Sequence, residues 1–160
     1  MGCSGSGVKG GNGSFSHGHG MCFNGDAIVL LKGSKSKLVK NLEKGDIFEN
    51  GAKVECLIEF KFPSSKPNMC NIDGVLLTHH HPILYKGQWC YPDQIVKPEP
   101  VLETSMFNLI LKDDISKKYE VVFENGIKAI ALAHHRKEPK ILEHSYYGTD
   151  AVKEDLKRKD

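Results

Sequence analysis

Long apolar runs are missing from this 160-residue sequence. The longest, such as residues 27–31, falls far short of the roughly 20 residues that a helix needs to span a bilayer. The N-terminus lacks the apolar core segment of a secretory signal, so no compartment can be read from it. Charge of one sign is scarce too. Against 22 Lys and Arg stand 20 Asp and Glu, and a net charge of +2 gives no argument for a nucleic-acid partner. No C-x-x-C pair occurs, which argues against a zinc ribbon or a thioredoxin-like motif. Internal repeats are absent, and only one stretch has a convincing helical pattern.

What is present suits one soluble domain read as a monomer, with 39% hydrophobic and 26% charged residues. Five cysteines (Cys3, Cys22, Cys56, Cys70 and Cys90) leave at least one thiol free unless it pairs between molecules. The sharpest change of character lies in "HGHGMCFNGDAIVLL", residues 17–31. Residues 1–21, rich in Gly and Ser, read as a flexible flanking segment, either upstream sequence or an artificial tail. At Met21-Cys22 they give way to strand-like sequence. Cys22 is therefore either a small core residue at a strand start or a nucleophile facing the bond that precedes it.

From Cys22 onward the punctuation is that of short strands. Residues 26–32 read as a first strand closed by Gly33-Ser34, and Gly45-Asp46 marks a turn. In "KVECLIEFKF" the residues Val54, Cys56, Ile58, Phe60 and Phe62 alternate onto one face, with Leu57 on the other. Asp73-Gly74, Lys86-Gly87 and Asn125-Gly126 each read as a hairpin turn, and residues 106–112 as a further strand. Hairpins this frequent make an all-β, sheet- or barrel-like domain. Past Leu132 the chain turns polar, and "GTDAVKEDLKRKD" reads as a helix. Thr149 caps it, Asp150 suits its positive end, and Val152 and Leu156 are spaced to dock on the β domain.

The richest chemical cluster is "LLTHHHPIL", residues 76–84. On an extended segment His79 and His81 share one side and His80 points away. Three consecutive histidines cannot all serve one metal, and His80 reads as a partly exposed ring. A zinc site made of Cys22, His79 and His81 would block the thiol, so no metal is assigned. A site using Thr78 and His81 needs a nucleophile from elsewhere, and Cys22 is the candidate.

As a set, "CFNGDAIVLL…KLVKNLEKGDIF", "LLTHHHPI" and "FENGIKAIALAHH" resemble the Hint domains, the module shared by inteins and hedgehog autoprocessing domains. Within that superfamily, "LTHHHPI…GQWCYPDQI", "NGIKAIALAH" and "HSYYGT" are similar, in order, to the Vint branch, where the domain accompanies a von Willebrand factor A domain. The resemblance covers about residues 22–156. It implies an all-β, horseshoe-like disc with pseudo-two-fold symmetry over residues 22–133. It also implies an extension over residues 134–160 that contains the short helix and resembles an adduct-recognition region. By position Cys22 matches the nucleophile, Thr78 and His81 match its two assistants, and Met21–Cys22 is the bond to be cut. No cofactor is implied.

The chemistry needs these residue types. The Cys22 thiol lies directly after the Met21 carbonyl and closes a five-membered ring on it without a bimolecular encounter. Sulfur attacks well and leaves well. An imidazole such as His81 moves protons near working pH, and the Thr78 hydroxyl can hydrogen-bond the scissile peptide. The expected product is a Met21–Cys22 thioester, which a second nucleophile (water, alcohol, amine or thiol) resolves to release the upstream segment.

Inteins finish with a His-Asn pair, but here the region reads "LAHHRKE". His134 matches the histidine and no asparagine follows, which argues against splicing. Hedgehog domains carry a cysteine after the Asn-Gly hairpin, where this chain has Ala131, and an acidic activator for which Glu59 is the nearest candidate. Sterol transfer is therefore not supported by matched residues, and the acceptor stays open. His134, His135, Arg136, Lys137 and Lys140, joined by Lys157, Arg158 and Lys159, form a cationic strip suited to a sulfated polysaccharide or an anionic membrane surface. Interleaved acidic residues equally fit a plain solvated face. Two rivals stand beside autoprocessing: a degenerate scaffold serving as a binding module, and a cysteine hydrolase acting in trans.

Overall fold

The computed structural model describes residues 21–61, 66–102 and 105–159, with only the backbone of residues 158 and 159. In chain order the strands are β1 (Phe23–Asn24), β2 (Ile28–Leu31), β3 (Lys35–Leu38), β4 (Lys53–Lys61), β5 (Asn68–Ile72), β6 (Val75–Thr78), β7 (Ile83–Tyr85), β8 (Gln88–Cys90), β9 (Glu99–Pro100), β10 (Ser105–Lys112), β11 (Glu120–Val122) and β12 (Lys128–Ile130). Among the described residues one α-helix, α1 (Asp150–Lys159), follows them. A six-stranded sheet has the order β4-β10-β1-β6-β5-β9, a four-stranded sheet the order β11-β12-β7-β8, and β2-β3 is a separate hairpin. Among the described residues every ladder is antiparallel, and only the isolated bridge Ile110–Leu132 is parallel. None of the described helices is long and apolar enough to cross a membrane.

The expected hairpins form. Asp73-Gly74 and Lys86-Gly87 take positive φ at both residues (50° and 95°, 51° and 80°), as a two-residue turn between twisted strands requires. Around Asn125-Gly126 only Gly126 is left-handed, and the Phe123 amide pairs with the Ile127 carbonyl. That turn is therefore a three-residue loop. The expected strand over residues 26–32 forms as Ile28–Leu31 and pairs with Lys35–Leu38 in the small hairpin, while Phe23–Asn24 is an additional strand in the large sheet.

β10 runs through the middle of the molecule, buried on both faces from Met106 to Leu111. Phe107, Leu109 and Leu111 enter one core with Phe23, Leu57, Leu77 and Phe123. Met106 and Ile110 enter a second core with Met21, Cys22, Cys56, Ile58 and Phe60. The single-face reading of β4 is corrected here. A bulge sets Val54 and Cys56 against the adjacent partners Leu111 and Ile110, leaving Glu55 as the extra residue. Val54 thus joins the first core and Cys56, Ile58 and Phe60 the second. Phe62 lies outside the described residues, as do residues 1–20.

The C-terminal extension closes over the second core. Leu142, Tyr146, Tyr147, Val152 and Leu156 all pack into it. The Thr149 hydroxyl accepts the Ala151 amide at 3.2 Å and starts α1, as the sequence indicates.

Candidate active site

Cys22 precedes β1 and continues its pairing with β6. The Thr78 amide donates to the Cys22 carbonyl at 3.0 Å. In return the Cys22 amide donates to Thr78 Oγ1 at 3.2 Å. That amide is the nitrogen side of the Met21–Cys22 peptide. Two residues further along, Asn24 Oδ1 accepts the Leu76 amide at 3.0 Å and keeps the two strands in register.

The carbonyl side of the same peptide is held by a residue that sequence reasoning missed. Asn108, fully buried in β10, donates from Nδ2 to the Met21 carbonyl at 2.6 Å. Its own Oδ1 accepts the Leu109 amide at 2.6 Å, so the side-chain amide is fixed with its donor toward Met21. A lone asparagine inside "SMFNLILK" was the available signal, because a polar group at the centre of an apolar strand needs a partner when buried.

His81 follows β6 through a turn in which its amide donates to the Thr78 carbonyl at 3.2 Å. Its ring has no exposure, lies 5.5 Å from the Phe23 ring, and places Nε2 2.8 Å from the Ile130 carbonyl of β12. A carbonyl only accepts, so the proton sits on Nε2 and Nδ1 keeps a bare lone pair. Among the described residues Nδ1 has no hydrogen-bond partner. Burial lowers the His81 pKa to about 4, against weaker upward pulls from the Ile130 and Cys22 backbone. Burial also pushes the Cys22 thiol far above its ordinary range. Thiol and imidazole therefore both rest uncharged at neutral pH.

The other candidates fall outside this cluster. Glu59 lies across from Phe107, on the face opposite Cys22, where it accepts the Ser105 hydroxyl at 2.6 Å and meets Lys61 at 3.0 Å. His80 is half-exposed, with Nε2 3.0 Å from Asp93, matching its bland reading. His134 is buried at the start of the extension, and its Nδ1 accepts the Arg136 amide at 2.9 Å. Burial, then the Arg136 and His135 charges, lower its pKa to about 4.

Much of the cationic strip is cross-linked. His135 meets Asp150 at 2.9 Å. Arg136 reaches Glu120 at 2.9 Å and lies 5.4 Å from the Trp89 ring centre. Lys157 meets Glu154 at 3.6 Å. Lys137 lines a cavity of about 380 Å³ with His135, Arg136, His144 and Thr149, and Lys140 is exposed. The Arg158 and Lys159 side chains lie outside the described residues. Among the described residues no three of His, Cys, Asp and Glu gather as metal ligands.

The antiparallel sheets, the thiol at the head of β1 and the T-x-x-H segment beside it are the features on which the resemblance to Hint domains, a class of self-processing modules, rests. The chain belongs to the Vint family of Hint domains, which matches residues 21–159. No curated protein matches it. Among solved structures it is similar to a DnaB intein from Synechocystis, at 19% identity and a TM-score of 0.48, over 70% of this chain and 99% of that one. It is also similar to the gp41-1 intein, at 15% identity and a TM-score of 0.46, over 69% of this chain and 98% of that one.

Proposed function

We propose that this domain cuts its own chain at Met21–Cys22 through a thioester. The observation that carries the reading is the grip on both ends of that one peptide bond, by Asn108 at its oxygen and Thr78 at its nitrogen. Cys22 Sγ attacks the Met21 carbonyl carbon, and the carbonyl oxygen takes the electron pair. The Asn108 Nδ2–H already points at that oxygen, so its bond strengthens as negative charge develops. His81 Nδ1 receives the thiol proton and returns it to the Cys22 nitrogen as the C–N bond breaks. Thr78 Oγ1 accepts from that nitrogen and holds it in place as the bond breaks; once the nitrogen is an amine, its new lone pair can accept from the Thr78 hydroxyl.

The product is an acyl group on sulfur and a free α-amine on Cys22. A second nucleophile then attacks the thioester, takes the upstream segment and regenerates the thiol. The chain stops at cleavage or transfer, since His135 rather than asparagine follows His134. By resemblance alone, the natural upstream cargo is a von Willebrand factor A domain. Incubation with hydroxylamine or dithiothreitol is expected to give fragments 1–21 and 22–160 by mass, and none from Cys22→Ala. An intact parent under every thiol and pH condition overturns the reading. The complete burial of Cys22 favours the second one, a latent scaffold that binds through its extension, and the same experiment decides between them.

A further inference from the structure

We propose that the C-terminal extension is a lid over Cys22 that keeps the acyl group from any outside nucleophile until it opens. Cys22 has no exposure and Met21 only 5%. They share their core with Leu142, Tyr146, Tyr147, Val152 and Leu156, all from the extension. Tyr147 lies near enough to Cys22 that a charge on the thiol would raise the phenol pKa further, beyond what burial does. The first step, attack within one residue, needs no access from outside. The second step needs a molecule that the closed site does not admit.

The lid also has the construction of a part that swings. Its entry, Ala133 and His135, takes φ of 53° and 58°, left-handed conformations that residues with a Cβ adopt reluctantly. Two backbone bonds hold this entry shut: Ala133 amide to Tyr147 carbonyl at 2.7 Å, and His135 amide to Gly148 carbonyl at 2.8 Å. The His135–Asp150 pair then ties the entry to the first turn of α1, with both side chains more than half exposed. Opening relaxes the left-handed residues and returns the His135–Asp150 pair to water, so the cost of opening falls on the apolar seat of Leu142, Tyr146, Tyr147, Val152 and Leu156 and on the Arg136–Glu120 pair. At Gly148 a Cβ would meet the His144 carbonyl at 2.8 Å and His134 Nε2 at 3.0 Å, so the seat has no slack there.

The gating role rests on the thioester reading, whereas the lid itself is testable without it. Iodoacetamide labelling, followed cysteine by cysteine by peptide mass, reads access to the thiols directly. Cys70 sits in the other core and reports global unfolding. In the parent, labelling of Cys22 is expected to rise at a lower urea concentration than labelling of Cys70. Leu156→Ala and Gly148→Ala are expected to raise Cys22 labelling about tenfold without urea, leaving Cys70 unchanged. Coincident urea curves in the parent overturn the lid, as does an equal rise at both cysteines in the variants or no rise at Cys22. Where hydroxylamine cleaves the parent, Leu156→Ala is expected to speed that cleavage in proportion. A chain that never cleaves refutes the thioester reading, while the labelling still decides the lid.

Discussion

Asn108 shows how a single side chain can be a structural and a chemical element together. Its carbonyl oxygen is occupied by the Leu109 amide and its NH₂ by the Met21 carbonyl, so neither end rotates away. A pre-aimed donor of this kind is worth about 10²–10³ in rate when it serves a developing oxyanion. Asn108→Ala is therefore expected to slow hydroxylamine-induced release of residues 1–21 by about that factor. Asn108→Asp keeps the shape but, when ionised, places a negative charge against the oxyanion; it is expected to be as slow at neutral pH and to recover as the pH falls. Single-turnover rates from intact mass check both, and an Asn108→Ala rate within threefold of the parent removes the assignment. Cys22, Thr78 and His81 were named because each lies in a short motif that resembles the Hint domains. Asn108 escaped because its partner is 87 residues away and only the sheet register brings the two together.

At the scale of elements, the parts legible in advance were those whose cause is local. Asp73-Gly74 and Lys86-Gly87 turn because each pair tolerates left-handed backbone, and α1 starts where Thr149 supplies a cap. The parts missed have distant causes. β3 is the polar run Lys35–Leu38, exposed or half-exposed throughout, and only its pairing with β2 makes it a strand. The bulge at Glu55 follows from pairing with β10, which residue alternation cannot foresee. The cap supports a prediction of its own. Thr149→Ala loses the bond to Ala151 and a 2.8 Å bond to the Ser145 carbonyl, costing about 1 kcal/mol by the usual value of an N-cap. Loss of helical ellipticity on mild heating, before the loss of near-ultraviolet signal, checks that α1 is where the cost falls. A simultaneous loss of both signals would place it in the body instead.

Across the whole molecule, two cores share β10, and each of two buried imidazoles ties a segment to them. His81 and His134 both have their pKa lowered to about 4, chiefly by burial. An unfolded chain returns each ring to about 6.5. Between these values the unfolded state binds more protons than the fold. Stability therefore rises with pH across this window, and is lost as pH falls from about 6.5 toward 4. For fully buried His81 the whole excursion amounts to about 3 kcal/mol. Asp113 adds to the loss only below this window: burial pushes its carboxyl up, but Ser116 and the backbone amides of residues 117–119 outweigh that and hold it below the usual range. Urea midpoints are thus expected to drop steadily from pH 7 to pH 4.5, with little change from pH 7 to pH 8. His81→Gln retains a donor for the Ile130 carbonyl but does not titrate, so it is expected to remove about half of that slope. A parent midpoint that is flat between pH 7 and 5 would mean the rings are not held neutral by the fold. The same burial that keeps Nδ1 of His81 bare as a base at neutral pH would then lose its support.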